Sequence, residues 1–486
     1  MITKDPDLAV RGRYRRARSD DIRAIILSPT RELAQQIAEE AMKLTRNTGI
    51  VTQIAVGGTQ KREMLSKTRR EGCHLLIATP GRLHDLLEDQ YSGIDAPNLS
   101  ALVLDEADRM LEVGFEQELD RISTFLPNRS DVPRQTLLFS ATVPKDVVGI
   151  ARKYINPKNF EFVQTVKADE VLTHERVPQY IVPCKGYENM FPTLLELIER
   201  ESTSDKEPFK AIVFCPTTAG TQLYAAALKR LEYQNRDMPK VIDIHSKLNQ
   251  SQRSWAAESF KKAKSAILVS SDVTARGMDF PNVTHVIQIH TPPNREQYIH
   301  RIGRTGRAGK IGQAYLLVGD VELSSARSLL PGLPIQRCSD LESATTDASQ
   351  GGNKHFDAAR EAHERLPEHL KSETYSSMLG NASKHVRKQE LVYALNDLAK
   401  YTWNMDQPPA VRSSILRNFG RIDGLRAEGH SEHRGVDHGR GGFDGGRGRG
   451  GGFGGRRGGD DFDRIAQSND RGRRGGFERR APRPSF

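Results

Sequence analysis

The sequence predicts an α/β protein with two parallel-sheet domains in tandem, then a helical extension and a disordered Arg/Gly-rich tail. Three observations carry this reading. Short apolar runs, too short for helices, alternate with amphipathic stretches, as in sheets buried on both faces. The rhythm pauses near residues 165–185 and restarts after 190. From Gly429 onward the composition changes altogether.

The first set of runs is Ala24-Ile25-Ile26-Leu27, Cys73 to Ala78, Ala101 to Leu104 and Thr136 to Phe139, each followed by a polar or glycine-containing turn. A helical pattern opens at Glu32-Leu33-Ala34-Gln35-Gln36-Ile37. The second set is Ala211 to Phe214, Val241 to Ile244, Ala266 to Val269, Val286 to Ile289 and Ala314 to Val318. Ser339 to Asn353, rich in Ser, Thr, Asp and Gly, interrupts the pattern. Helical sequence follows to about residue 420, with Leu391, Leu395 and Leu398 on one face and Pro408-Pro409 expected to open a last helix ending at Gly420. The expected units are 1–165, 185–325, 354–422 and 429–486.

Composition narrows the function. Of the 486 residues, 37% are hydrophobic and 28% charged, and no stretch approaches the roughly 18 apolar residues of a membrane span. The four cysteines form no CxxC pair, which speaks against a disulfide scaffold or structural zinc and for a reducing compartment. The net charge of +10 points to an anionic partner. Residues 429–486 hold 13 arginines against eight acidic residues, hence +5, together with 18 of the 41 glycines and no leucine. Repeats such as Arg447-Gly448-Arg449-Gly450, with Phe443, Phe453, Phe462 and Phe477 interspersed, suit fold-free RNA contact through phosphates and stacked bases; a solubilising linker is the plainer reading.

Asp105-Glu106-Ala107-Asp108 follows an apolar run directly. Carboxylates at the carboxyl end of a parallel strand lie where such sheets bind ligands. There an Asp can hold Mg2+ through water and a Glu can orient or deprotonate a water attacking a phosphate, although the same residues could simply complement a helix dipole. Ser140-Ala141-Thr142, after the next run, reads in isolation as a helix cap. In His300-Arg301-Ile302-Gly303-Arg304-Thr305-Gly306-Arg307, three arginines at spacing three, relieved by glycines, suit guanidinium groups aimed at one phosphate chain.

Taken together and in this order, these fragments resemble the DEAD-box RNA helicase family. The likeness also includes Pro29-Thr30-Arg31-Glu32-Leu33-Ala34, Gly57-Gly58, Thr79-Pro80-Gly81-Arg82, Val213 to Thr217, Gln250-Ser251-Gln252-Arg253 and Ser271 to Asp279. Within the family, Leu111 to Phe115, Gly277 to Val283, the helical extension and the basic tail are similar to the fungal mitochondrial RNA-splicing helicases. The resemblance implies two RecA-like domains closing over ATP and RNA, in splicing or RNA processing, in the mitochondrial matrix, with nucleus or nucleolus as the alternative.

By the same resemblance, Asp105 would position Mg2+ and Glu106 would activate the attacking water. Gly277 and Asp279 would meet the nucleotide, and Arg304 and Arg307 would act on the γ-phosphate. Asp108, Ser140, Thr142 and His300 would couple closure to RNA distortion. Arg31, Gly58, Thr79, Gly81, Arg82, Thr217 and Asp272 would hold the RNA backbone without reading bases. The family's GxxxxGK[ST] phosphate loop and glutamine motif have no counterpart in these 486 residues. Residue 1 is therefore expected to fall inside the first domain, and the chain by itself to turn over little ATP. An ATPase-deficient RNA-binding or annealing protein is the alternative. The arginines among residues 11–18 are flanked by Asp5, Asp7, Asp20 and Asp21 and read as an internal loop rather than a presequence. The extension, with Lys384, His385, Arg387 and Lys388, either widens the RNA track or braces the second domain.

Overall fold

A computed structural model describes residues 17–428 except 142–144, 157–158, 165–176, 204–207, 276, 383–385 and 421. The expected tail, the basic stretch before Ala17, Thr142, Lys384 and His385 lie outside the described residues. In chain order the first sheet region runs β1 (Ala24–Leu27), α1 (Arg31–Thr45), β2 (Thr52–Ala55), α2 (Lys61–Glu71), β3 (Leu75–Ala78), α3 (Pro80–Glu88), β4 (Ala101–Leu104), α4 (Ala107–Glu112), α5 (Glu116–Phe125), β5 (Gln135–Leu138) and α6 (Lys145–Tyr154). The strands pair in the order β2-β3-β1-β4-β5, all parallel. Leu27 stands level with Ala78 and Leu104, and Leu104 with Leu138, so the loops after β1, β3, β4 and β5 leave the sheet at one edge.

The second region continues with β6 (Gln179–Cys184), α7 (Met190–Ser202), β7 (Lys210–Phe214), α8 (Thr218–Gln234), β8 (Lys240–Ile244), α9 (Gln250–Lys262), β9 (Ala266–Ser270), β10 (His285–Ile289), α10 (Arg295–Ile302), β11 (Gln313–Gly319), α11 (Asp320–Leu329) and β12 (Ile335–Arg337). These strands form a parallel sheet in the order β12-β6-β11-β10-β7-β9-β8. The segment 165–185, expected only as a junction, therefore ends in β6, whose Pro183 and polar Gln179 hide the strand from an apolar-run reading.

Then come α12 (Glu342–Thr345), α13 (Lys354–Glu364), α14 (Glu368–Ala382), α15 (Lys388–Tyr401), β13 (Ala410–Val411), α16 (Ser413–Phe419) and β14 (Arg426–Ala427). Pro408-Pro409 precede a two-residue strand, not a helix. The helix starts at Ser413 and does stop at Gly420, whose φ of 79° suits glycine at a helix end.

Side chains explain where the main helices begin. Thr30, Thr217, Asn249 and Asn294 cap α1, α8, α9 and α10, their side-chain oxygens accepting from Leu33, Gly220, Gln252 and Gln297 amides at 3.2, 3.0, 2.9 and 2.7 Å. The extension is fused to the second sheet. Tyr375, Leu379, Leu391, Leu395 and Trp403 belong to the same apolar cluster as Val182, Phe191, Leu223 and Leu317. The Thr402 hydroxyl adds a 2.7 Å bond to the Glu188 carbonyl. Bracing is thus the extension's packing role.

Candidate functional site

β4 ends at Leu104, and its backbone register hands Asp105 to the common edge, where the Asp105 amide donates to Leu27 O at 2.9 Å. Glu106 caps α4 in the left-handed region, φ 48°, a conformation costing a non-glycine residue about 1–3 kcal/mol and concentrated at functional sites. The turn is held by the Glu106 amide donating to Asp105 Oδ1 at 3.1 Å and the Ala107 amide donating to Phe139 O at 3.0 Å. That second bond ties the Asp105–Asp108 turn to the strand end carrying Ser140. Burial holds the Asp105 carboxyl above the usual aspartate value, the Glu106 amide offsetting part of this and Asp108 adding to it. A desolvated carboxylate among other acids gains from a cation, so these residues fit a hydrated Mg2+.

Asp108 and His300 face each other, Oδ2 to Nε2 at 3.8 Å, both nearly buried. One comes from the first sheet region and one from α10 of the second. A second crossing was not singled out as a site by the sequence. Arg253 Nη1 donates to Glu32 Oε1 at 2.9 Å, and Gln250 Nε2 reaches Glu32 Oε1 at 3.3 Å and Gln35 Oε1 at 3.4 Å. The available signal was the three-residue spacing of Gln250 and Arg253 on one helix face. Gly277, with φ 71°, sits against α1, where an added Cβ would lie 2.8 Å from Leu33 Cβ. Glycine is required there for close approach.

The arginine run divides. Arg304 Nη1 donates to Met278 O at 2.6 Å and its Nε to His300 O at 3.3 Å. Arg307 pairs with Asp279 and donates from Nε to Gly303 O at 2.8 Å. Both therefore stand beside the Gly277–Asp279 turn. Arg301 does not share their direction. It is 1% exposed, bonds Asp272 Oδ1 through Nε at 2.8 Å and Gln288 through Nη1 at 3.2 Å, and lies over the Phe214 ring. Arg301 thus drops out of the reading of three arginines aimed at one phosphate chain, because α10 ends at Ile302, between it and Arg304.

The residues expected on RNA gather in two groups. In the first, the Arg31 guanidinium covers the Gly57-Gly58 turn so closely that a Cβ at Gly58 would run into it. Burial, then the nearby Arg253, pulls Arg31 below the usual arginine value. Arg82 Nη2 donates to Thr59 O at 3.1 Å, Thr79 opens α3, and open space lies over Gly81. In the second, Thr217 caps α8 and meets Ser377 Oγ of α14 at 3.0 Å. Asp272 Oδ1 accepts from Arg301 and, at 2.7 Å, from Gln297, so much of its hydrogen-bonding capacity is spent inside the fold.

Helices of the two parallel-sheet regions thus meet across Asp108–His300 and Glu32–Arg253. The DEAD/DEAH box helicase pattern matches residues 8–150 and the helicase conserved C-terminal domain matches residues 190–309. The chain belongs to the DEAD/DEAH box helicase family. It is 63% identical to the mitochondrial ATP-dependent RNA helicase cyt-19 of Neurospora crassa, over 88% of this chain and 70% of that one. It is 46% identical to the mitochondrial ATP-dependent RNA helicase mss116 of Aspergillus fumigatus, over 87% and 68%. Among solved structures it is similar to Mss116p bound to ssRNA and AMP-PNP, with TM-score 0.69, 29% identity and coverage of 82% and 79%. Dbp5 of S. cerevisiae bound to RNA and ADP BeF3 matches with TM-score 0.53, 27% identity and coverage of 66% and 78%.

Proposed function

We propose that this chain is an ATP-dependent RNA helicase or RNA chaperone that remodels RNA duplexes in mitochondrial RNA splicing or processing. The observation that carries the reading is the pair of interdomain contacts, Asp108–His300 and Glu32–Arg253, linking the acidic turn to the arginine-bearing half. The relatives' names, mitochondrial ATP-dependent RNA helicases, support it. The proposed units are a first helicase domain to 165, a second over 185–325, an extension over 354–422 and an RNA-binding tail over 429–486.

Bound ATP and Mg2+ supply the phosphoryl group and the cation that neutralises charge as it transfers. Asp105 would hold the hydrated cation, and Glu106, fixed by its backbone turn, would accept a proton from the attacking water. Arg304 and Arg307, which now bond Met278 O and Asp279, would meet the γ-phosphate, and Gly277 and Asp279 would line the nucleotide. Asp108, Ser140, Thr142 and His300 pass closure on to the RNA side. Arg31, Gly58, Thr79, Gly81, Arg82, Thr217 and Asp272 hold the RNA backbone, and such contacts carry no sequence information.

One observation favours a second reading, an RNA-binding or annealing protein without ATP turnover: residues 429–486 carry 13 arginines on a glycine-rich, leucine-free stretch suited to contact RNA phosphates without nucleotide. RNA-stimulated ATP hydrolysis by the purified chain decides between them. Turnover abolished by Glu106→Gln establishes the motor. RNA annealing without turnover establishes the second reading.

A further inference from the structure

α2 opens three residues after Gly58, and its two ends differ in charge. At the near end Lys61 is neutralised by Asp85 Oδ1 and Asp89 Oδ2, both at 3.0 Å. Further along, Arg62, Ser66, Arg69 and Arg70 recur at helical spacing on one face and line an open groove of about 560 Å³ with Leu65. Arg69 is anchored, its Nε and Nη2 donating to Ser92 O at 3.1 and 2.9 Å and Nη2 also to Tyr91 O. That anchor sets Tyr91 beside the arginines, and its side chain is 88% exposed. The acids by this face include Glu63, next to Arg62 in sequence, Glu71, which accepts from Arg70 and Gln53, and Asp89, which pairs with Lys61 and also feels the charge of Arg69.

We propose that the Arg62–Arg70 face of α2 and Tyr91 form an additional RNA contact that continues the track beyond Gly57-Gly58, the arginines meeting phosphates and Tyr91 stacking on a base. Arg62 to Arg70 spans about 12 Å of helix, enough to meet more than one phosphate. Arginines beside an exposed ring are the chemistry that holds single strands without reading sequence. An acidic protein surface would satisfy the charges but has no use for a bare ring at the far end of the helix that starts from the RNA-facing turn, so RNA is the occupant assigned.

This inference rests on the RNA-remodelling reading, and the test separates the two. Affinity is measured for the full chain on a single strand of roughly 6 nucleotides and one of roughly 20. Arg62→Gln/Arg70→Gln is expected to weaken the long strand about tenfold and lower its salt slope by about 1.4, two single-strand phosphate contacts, while the short strand stays within about twofold. Tyr91→Ser is expected to weaken the long strand by roughly tenfold without changing the salt slope. The tail is common to every variant and cancels. Equal losses on both strands, or none on either, overturn the proposal; the second outcome leaves the face to an acidic protein. If the unaltered chain binds neither strand, the RNA-remodelling reading itself fails.

Discussion

Arg253 reaches Glu32 at 2.9 Å across 221 residues of sequence, with Glu32 5% and Arg253 13% exposed at the side chain. Removing one partner of a buried pair strands the other's charge, at a cost of about 3–5 kcal/mol. Because this pair joins the two sheet regions, the cost falls on their closed arrangement more than on either fold. Arg253→Ala should reduce the closed population roughly a hundredfold, and Glu32→Arg/Arg253→Glu should restore part of it. Single-molecule energy transfer between dyes on α5 and α8 reads this directly. An unchanged distance distribution in Arg253→Ala would show the contact to be idle.

Arg304 and Arg307 are held by Met278 O and Asp279, partners an anionic ligand can replace. In a chain supplied with a GxxxxGK[ST] phosphate loop ahead of these residues, Arg304→Ala and Arg307→Ala should each lower ATP turnover by about 10³–10⁵ while nucleotide-free RNA affinity stays near that of the unaltered chain. Both quantities are measured on each variant. Collapse of RNA affinity with ATP turnover intact would reassign these arginines to RNA.

His363 is buried against the Phe191 ring at 4.6 Å, its Nδ1 donating to Ala359 O at 2.7 Å. Burial pulls its imidazole down to about 4. A histidine depressed when folded contributes stability that is complete above about pH 6.5 and drains away as pH falls towards 4, by about 3 kcal/mol across the window. His363→Leu should remove that increment. Calorimetric melting of both proteins from pH 7 to 4 checks it, and parallel pH profiles would sink the assignment.

Residues 429–486 carry 13 arginines and no lysine. Deleting them should weaken nucleotide-independent RNA binding and flatten its salt dependence, because each lost phosphate contact removes about 0.7 from the slope on single strands. Filter binding on one unstructured RNA suffices. Identical slopes would take the tail out of RNA binding.

The β1 and β4 boundaries are legible in sequence because a parallel strand covered on both faces must be continuously apolar. β2, on the sheet edge, is not. Its Gln53 is buried, but it donates to Glu71 at 3.1 Å and Gly72 O at 3.3 Å, so a polar residue fills an inside position. The motif residues are legible as types and spacings. What spacing leaves open is direction, as Arg301 shows by turning inward beside Arg304, and partnership, as Glu32 shows by meeting a helix that only the second sheet positions.

The sharing of one apolar cluster by the second sheet and Trp403 has a consequence during synthesis. β11 ends at Gly319, and Trp403 lies 84 residues later (403 less 319). At about 5–20 residues per second, the outer side of α7 and α8 waits roughly 4–17 s for its cover. Throughout that interval the side of α7 that carries Phe191, later covered by His363, belongs to a surface rather than an interior. The nascent chain is therefore a chaperone client by construction, and a premature stop before α15 would deliver an aggregating fragment rather than a shortened enzyme.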